Sequence, residues 1–347
     1  MMQTAAAAAY RNTENSARED AADSAGPTPD ARVSFYDDHP TIADLREEVL
    51  LGLGRSPKRL SPKLFYDQRG SKLFDAITEL PEYYPTRTEI GILDVYGEEM
   101  ADRLGRENVL IELGSGSSLK IQTLLTALRP AVYVPVDISK EHLLESAQAL
   151  AERFPDLRIR AACADYSGSF KLPLDSGWTQ LAAFFPGSSI GNFEPSEARA
   201  LLQRVAAVLG QGGRLLIGVD LRKDPSILNA AYNDAQGVTA AFNLNLLTRI
   251  NRELGADFET SDFRHKAFFN VEVSRIEMHL ESLCDQVVRV AGREIPFGKG
   301  ETIHTECSYK YSIADFQCLA RDAGFESEQV WTDPEQLFSV HCLRVDS

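Results

Sequence analysis

The sequence predicts an α/β fold: a doubly wound parallel sheet closed by a C-terminal hairpin, with an inserted α+β lobe. Three observations carry this expectation. Short apolar runs alternate with amphipathic helices from Val109 to about Asp220, the pattern of strand-helix-strand units with parallel strands. The first run ends in Glu112-Leu113-Gly114-Ser115-Gly116, where the glycines let the backbone turn tightly and approach a ligand. Beyond Asp220 the period changes to helical segments and then to strictly alternating strands, before the sheet pattern resumes near residue 313.

Taken in order, residues 1–33 are rich in Ala, Ser, Asn, Asp, Glu and Pro and poor in aliphatics, so they are expected to form a disordered tail. Helical patterning begins near Thr41. Two aromatic stretches follow, Leu64-Phe65-Tyr66-Asp67 and Leu80-Pro81-Glu82-Tyr83-Tyr84-Pro85-Thr86-Arg87, which either line a ligand site or pack the edge of a core. Strands are expected at 109–113, 131–137, 158–164, 179–186 and 213–219. A helix capped by Ser139 puts Leu143, Leu144, Ala147, Leu150, Ala151 and Phe154 on one face. Helical segments run from about Ser226 to Leu254, with Gly237 interrupting. In the alternating strands, Ile276, Met278 and Leu280 share one face, and His304, Glu306, Ser308 and Lys310 share another. A helix over 313–323 and two strands ending near Val345 complete the chain. The expected domains are therefore the tail, a substrate-binding lobe from 34–87 and 222–310, and a sheet domain from 88–221 and 311–347.

Composition narrows the function. The 347 residues carry 51 acidic and 36 basic side chains, a net charge of −15 that opposes nucleic acids and anionic membranes. Five cysteines without C-x-x-C spacing indicate neither a disulfide framework nor a zinc site, and fit a cytoplasmic protein. No apolar run reaches membrane-spanning length, and the Ala-rich start lacks a basic n-region.

The residues just after each strand are where a doubly wound sheet binds its ligand. Leu119 replaces the third glycine of G-x-G-x-x-G, which suits a nucleoside without a pyrophosphate. Asp137 lies about twenty residues past the loop, where a carboxylate accepts from ribose hydroxyls. Asp165-Tyr166 follows the third strand, where an acid accepts from an adenine amino group. Each alone is also an ordinary cap or turn residue. The fourth strand leads into Gly187-Ser188-Ser189-Ile190-Gly191-Asn192, a turn whose one amide either holds an amine or merely shapes the turn.

Glu112-x-Gly114-x-Gly116 resembles the first motif of class I S-adenosylmethionine-dependent methyltransferases, and a sulfonium cation suits the two acids. The wider set is more specific. Phe65-Tyr66-Asp67, Leu80 to Glu89, Gly187 to Asn192, Tyr232-Asn233-Asp234-Ala235, Gly237 to Asn243 and Arg275-Ile276-Glu277-Met278 together resemble the L-histidine Nα-methyltransferases of ergothioneine biosynthesis, from about residue 41 to the C-terminus. The resemblance implies a Rossmann-like methyltransferase sheet with a substrate lobe, converting histidine to the trimethylated betaine hercynine. It implies that Gly114, Ser115, Gly116, Lys120, Asp137, Asp165 and Tyr166 hold S-adenosylmethionine. Tyr66, Asn192 and Tyr232 would fix the substrate's amine and carboxylate. Tyr83, Gly187, Met278, Glu306 and Ser308 would enclose the rest of it. No metal, nucleic acid or membrane partner is expected, and the protein is expected to be a monomer.

The chemistry is compatible with those roles. A neutral imidazole needs one acceptor and one donor, which a Glu and a Ser two residues apart on a strand can supply. Methyl transfer is an in-line displacement, so holding a neutral amine in line supplies most of the catalysis and no strong base is required. The alternatives are a methyltransferase for another aromatic amino acid such as tryptophan, a protein or nucleic-acid methyltransferase, a dehydrogenase, and a non-catalytic S-adenosylmethionine sensor. The acidic composition and the missing third glycine count against the middle two.

Overall fold

The computed structural model describes residues 32–346 apart from 39, 117, 118, 169–171, 175–177 and 179. In chain order the strands are β1 (Val33–Asp38), β2 (Lys58–Arg59), β3 (Val109–Leu113), β4 (Val132–Asp137), β5 (Arg158–Ala164), β6 (Leu181–Phe185), β7 (Arg214–Asp220), β8 (Phe263–Asn270), β9 (Arg275–Ser282), β10 (Gln286–Val290), β11 (Arg293–Phe297), β12 (Thr302–Tyr309), β13 (Phe325–Thr332) and β14 (Phe338–Val345). The α-helices are α1 (Ile42–Leu53), α2 (Gln68–Thr78), α3 (Tyr84–Leu104), α4 (Leu119–Leu128), α5 (Lys140–Arg153), α6 (Pro195–Leu209), α7 (Pro225–Ala231), α8 (Val238–Leu254) and α9 (Ile313–Asp322).

Eight strands form the central sheet in the order β1-β5-β4-β3-β6-β7-β14-β13. β1 and β3 to β7 are parallel, and the β13–β14 hairpin closes the edge antiparallel to β7. β3 and β4 are buried along their whole length, because helices cover both faces of a parallel sheet. Alternation divides their side chains. Val109, Ile111, Leu113, Val132, Val134 and Val136 enter one core, while Leu110 and Tyr133 enter the core on the other face. The chain leaves β3 toward β4 and β5 and returns to β6 on β3's other side. The switch point, where a ligand crevice opens, thus lies between β3 and β6.

The N-terminal boundaries need correction. The expected tail lies outside the described residues as far as 31, but Val33 already opens β1, which pairs with β5 from Val33↔Ile159 to Asp38↔Ala164. Residues 34–38 therefore belong to the central sheet and not to the inserted lobe. β1 is an edge strand paired on one side, so it needs no apolar run to be stable there. The boundary expected at 87 falls inside α3, which runs unbroken from Tyr84 and packs on α4 and β14.

A second sheet, β2-β12-β9-β8, and the hairpin β10–β11 form the inserted part. Leu45, Val49 and Leu53 of α1 share its core with Leu246, Leu247 and Ile250 of α8 and with Met278 and Leu280 of β9. Two segments far apart in sequence thus build one core. β12 departs from the expected alternation. Its pairing shifts by one between His304↔His279 and Glu306↔Met278, and the extra residue, Thr305, is buried with its hydroxyl 2.8 Å from Asn243 Oδ1. His304 consequently shares a face with His279, and Glu306 shares the opposite face with Met278. The common polar face expected for His304, Glu306, Ser308 and Lys310 holds only for the last three.

One tight joint sits below the site. Asp67 caps α2 by accepting from Gly70 N at 2.7 Å, and a Cβ on Gly70 would stand 1.7 Å from the carbonyl oxygen of Phe65. A Gly70→Ala variant is expected to lose about 1–3 kcal/mol of stability through this clash with backbone. A thermal melt with an unchanged midpoint would show that the turn before α2 yields freely.

Candidate active site

A cavity of about 530 Å³ opens at the carboxyl ends of β3, β4 and β5. Gly114 and Gly116 take left-handed φ values of 68° and 44°, so the loop curls back and Gly114 N donates to Val136 O at 2.8 Å. A Cβ on Gly114 would press to 3.2 Å from the Tyr166 hydroxyl, so the glycine keeps Tyr166 close under the loop. Asp137 accepts from Gly116 N and Ser139 N, both at 2.9 Å, which fixes its carboxylate at the rim of the cavity. Burial pushes its pKa up. The hydrogen bonds to Ser139 and Gly116 oppose that shift. Ser139 starts α5 as expected, but its hydroxyl accepts from Ser71 Oγ at 3.1 Å and does not cap the helix.

Burial also raises the Asp165 carboxyl, but Ser167 and Lys63 outweigh it and hold the group below the ordinary carboxylate value. Lys63 reaches from the 3-10 turn Pro62–Phe65 to Asp165 Oδ2 at 2.9 Å and to Glu48 Oε2 at 2.7 Å. It tethers the second sheet's segment to the donor cavity, a link that sequence spacing does not reveal. Gly114, Ser115, Gly116 and Lys120, with Asp137, Asp165 and Tyr166, all line this cavity, so every donor-binding candidate is assembled in one place.

Glu89 was not among those candidates. It is fully buried on α3, its Oε2 lies 2.7 Å from Lys120 Nζ, and its carboxylate accepts from Gly187 N at 2.9 Å. A Cβ on Gly218 of β7 would stand 2.0 Å from Glu89 Oε1, so the carboxylate rests directly on that strand. Its position within Thr86-Arg87-Thr88-Glu89 was visible, but nothing in the pattern marked it as buried.

A smaller cavity of about 50 Å³ adjoins the first. Its wall contains Tyr66, Tyr83, Gly187, Asn192, Tyr232, Met278, Glu306 and Ser308, which unites all eight expected substrate and catalytic residues. Tyr66, Phe74, Tyr83, Gly187, Ser189 and Asn192 line both cavities, and they mark the junction where a donor and an acceptor would meet. Asn192 ends the 3-10 turn Ser189–Asn192 after β6. That turn is pressed onto β12: Cys307 Sγ lies 3.3 Å from Asn192 O, and a Cβ on Gly191 would stand 2.8 Å from Tyr309 O. Burial drives the phenols of Tyr66, Tyr83 and Tyr232 well above their ordinary value, which suits hydrogen bonding and not proton abstraction. Glu306 is pushed up to about 7 by burial, against the pull of Lys310.

The second sheet is tied to the first through Glu194 at the start of α6. Its carboxylate meets Arg275 at 2.9 Å and Arg59 at 3.2 Å. Among the described residues one group has metal-ligand chemistry, Glu277, His279 and His304, on the face of β9 and β12 turned away from Met278 and Glu306. The two imidazoles are stacked 4.8 Å apart with planes 23° from parallel, so their in-plane lone pairs do not converge. Among the described residues no helix is long and apolar enough to cross a membrane.

The geometry is that of a nucleoside-sized cleft joined to a small polar pocket by an amide and two phenols. The family described as "Histidine-specific methyltransferase, SAM-dependent" matches residues 45–345. Histidine N-alpha-methyltransferase of Mycolicibacterium smegmatis is 42% identical over 303 residues, covering 85% of this chain and 93% of that protein. The protein of the same name from Mycobacterium tuberculosis is 41% identical, across 83% of this chain and 91% of its own. Ergothioneine biosynthesis protein 1 of Neurospora crassa is 34% identical across 83% of this chain and 33% of its own length. With the family matched along most of its length, this chain belongs to the S-adenosylmethionine-dependent, histidine-specific methyltransferases.

Proposed function

We propose that the protein transfers three methyl groups from S-adenosylmethionine to the α-amine of L-histidine, giving hercynine for ergothioneine biosynthesis. The observation that carries this reading is the junction itself: Asn192, Tyr66 and Gly187 stand between a nucleoside-sized cavity and a pocket holding Glu306 and Ser308. In the donor cavity, Asp137 takes the ribose hydroxyls, Asp165 and Tyr166 face the adenine, and Lys120 meets the donor's carboxylate. Tyr66, Asn192 and Tyr232 hold the amino acid's amine and carboxylate, and Glu306 and Ser308 hold its ring against Met278 and Tyr83.

At each turn the amine lone pair attacks the methyl carbon as its bond to sulfur breaks, and the sulfonium leaves as a neutral thioether. Alignment of nitrogen, carbon and sulfur supplies most of the acceleration. An ammonium has no lone pair, so one proton must leave before each transfer. Asn192 orients the neutral amine, since an amide carbonyl accepts a hydrogen bond without adding charge. The buried phenols are poor bases, and released protons pass to water.

The test is mass spectrometry of the purified protein incubated with S-adenosylmethionine and an equimolar mixture of the twenty amino acids. A single product, histidine carrying three added methyl groups, is expected. Methylated tryptophan or tyrosine would refute the imidazole pocket, and the absence of any methylated product would refute the reaction.

A further inference from the structure

Behind the pocket lies a buried charge cluster that the mechanism above does not use. Lys310 follows β12, is almost wholly buried, and sends Nζ to Asp220 Oδ2 at 2.7 Å, to Ser308 Oγ at 2.9 Å and toward the Tyr232 hydroxyl at 3.4 Å. Asp220, at the end of β7, is equally buried. It accepts from the Tyr84 hydroxyl at 2.7 Å and pairs with Lys223, which also donates to the Tyr84 oxygen at 2.6 Å. Asp220 thus faces both ammonium groups, and the charge of Lys310 also reaches Glu306 beyond Ser308.

An ammonium group carries three protons and no lone pair, so every oxygen that it meets must accept. Ser308 Oγ therefore accepts from Lys310, and its own hydrogen points elsewhere. Ser308 and Glu306 lie on the face that lines the pocket, so the hydrogen of Ser308 is shared between the Tyr232 hydroxyl, with which Ser308 also bonds, and whatever occupies the pocket. An ionised Glu306 can only accept. We infer that Lys310 is a positioning residue that fixes Ser308 as a donor, so that the pocket selects a neutral ring with its N–H toward Glu306 and its bare nitrogen toward Ser308. The inference rests on the reading that Glu306 and Ser308 hold the imidazole.

A cationic ring fails twice in this arrangement. It brings an N–H where Ser308 already donates, and it places positive charge near the buried Lys310 ammonium. The other titratable groups around the pocket, Tyr66, Tyr83 and Tyr232, stay neutral, while Tyr84 and Lys223 lie behind Asp220. The direction of the pH effect follows. The free imidazole is neutral above about pH 6.5 and charged below it. KM for histidine should therefore climb as pH falls, by up to about tenfold per unit below that value. Protonation of Glu306 adds to the climb for any ring that donates to it.

The decisive comparison is KM for histidine against 2-fluorohistidine, whose ring stays neutral throughout, measured between pH 5.5 and 8 with saturating donor. We expect the KM ratio of histidine to 2-fluorohistidine to rise about tenfold between pH 7.5 and 5.5, because the Glu306 contribution is common to both. A ratio that stays flat would overturn the inference, since the pocket would then be accepting the charged ring. A second arm uses the paired variant Lys310→Met with Asp220→Asn, which removes the ammonium and its counter-charge together. Provided that its affinity for S-adenosylmethionine matches the unaltered enzyme, its KM ratio should flatten, because Ser308 is then free to turn and accept. A paired variant that keeps the steep ratio assigns the selectivity elsewhere and refutes a role for Lys310. Failure of the underlying reading looks different: Ser308→Ala with unchanged KM for histidine would remove Ser308 from the ring altogether.

Discussion

Replacing Asn192 with alanine is expected to lower kcat/KM for histidine by about 10²-fold or more, while the affinity for S-adenosylmethionine stays within a few-fold. Asn192 lines both cavities, the position at which the proposed amine would face the methyl carbon. A misplacement of about 1 Å in a displacement reaction already costs about 10²-fold. The turn that carries Asn192 is held by Cys307 and by the backbone of Tyr309, so the variant should fold. Steady-state kinetics with calorimetric titration of the donor would separate the two effects. If kcat/KM were unchanged, the amine would have to be held by the tyrosines alone.

The second large effect is expected at Glu306. Glu306→Ala should raise KM for histidine by at least tenfold and by up to about 10⁴-fold. An unpaired buried polar group costs about 1–3 kcal/mol, and sites built on hydrogen bonds reject poor partners by comparable or larger factors. The loss also removes the carboxylate that offsets the charge of Lys310 across Ser308. The companion Glu306→Gln keeps the volume and one acceptor, so it should fall between the alanine variant and the unaltered enzyme. Equal KM values in all three proteins would place the ring elsewhere.

The sheet was legible because parallel strands buried on both faces must be apolar along their length, as β3 and β4 are. The glycine loop was legible for a related reason: glycines at 114 and 116 and acids at the ends of β4 and β5 are spaced by the geometry of the fold itself. β1 escaped notice because an edge strand paired on one side carries no strong pattern. The bulge at Thr305 was invisible because alternation in a sequence assumes that each residue has one partner, and a bulge breaks that assumption without changing composition. Lys310, Asp220 and Glu89 were hidden differently. A charged residue in a sequence reads as solvated, and only tertiary partners brought from β7, α3 and α4 allow these three to be buried. The smaller cavity draws on residues from Tyr66 to Ser308, so no local pattern would have brought them together; the family resemblance is what named them as a group.

The seat of Glu89 also constrains how the lineage can vary. Its carboxylate joins Lys120 on α4 to the backbone of Gly187, and it has room only because residue 218 has no side chain. Helix, loop and strand are interlocked through one acid, so drift at any of these positions is conditional on the others. A shorter acid at 89 would open space at 218 but release Lys120, and any larger residue at 218 would expel the acid first. Loss of Glu89 would therefore loosen Lys120 and Gly187 together, and with Gly187 the junction of the two cavities.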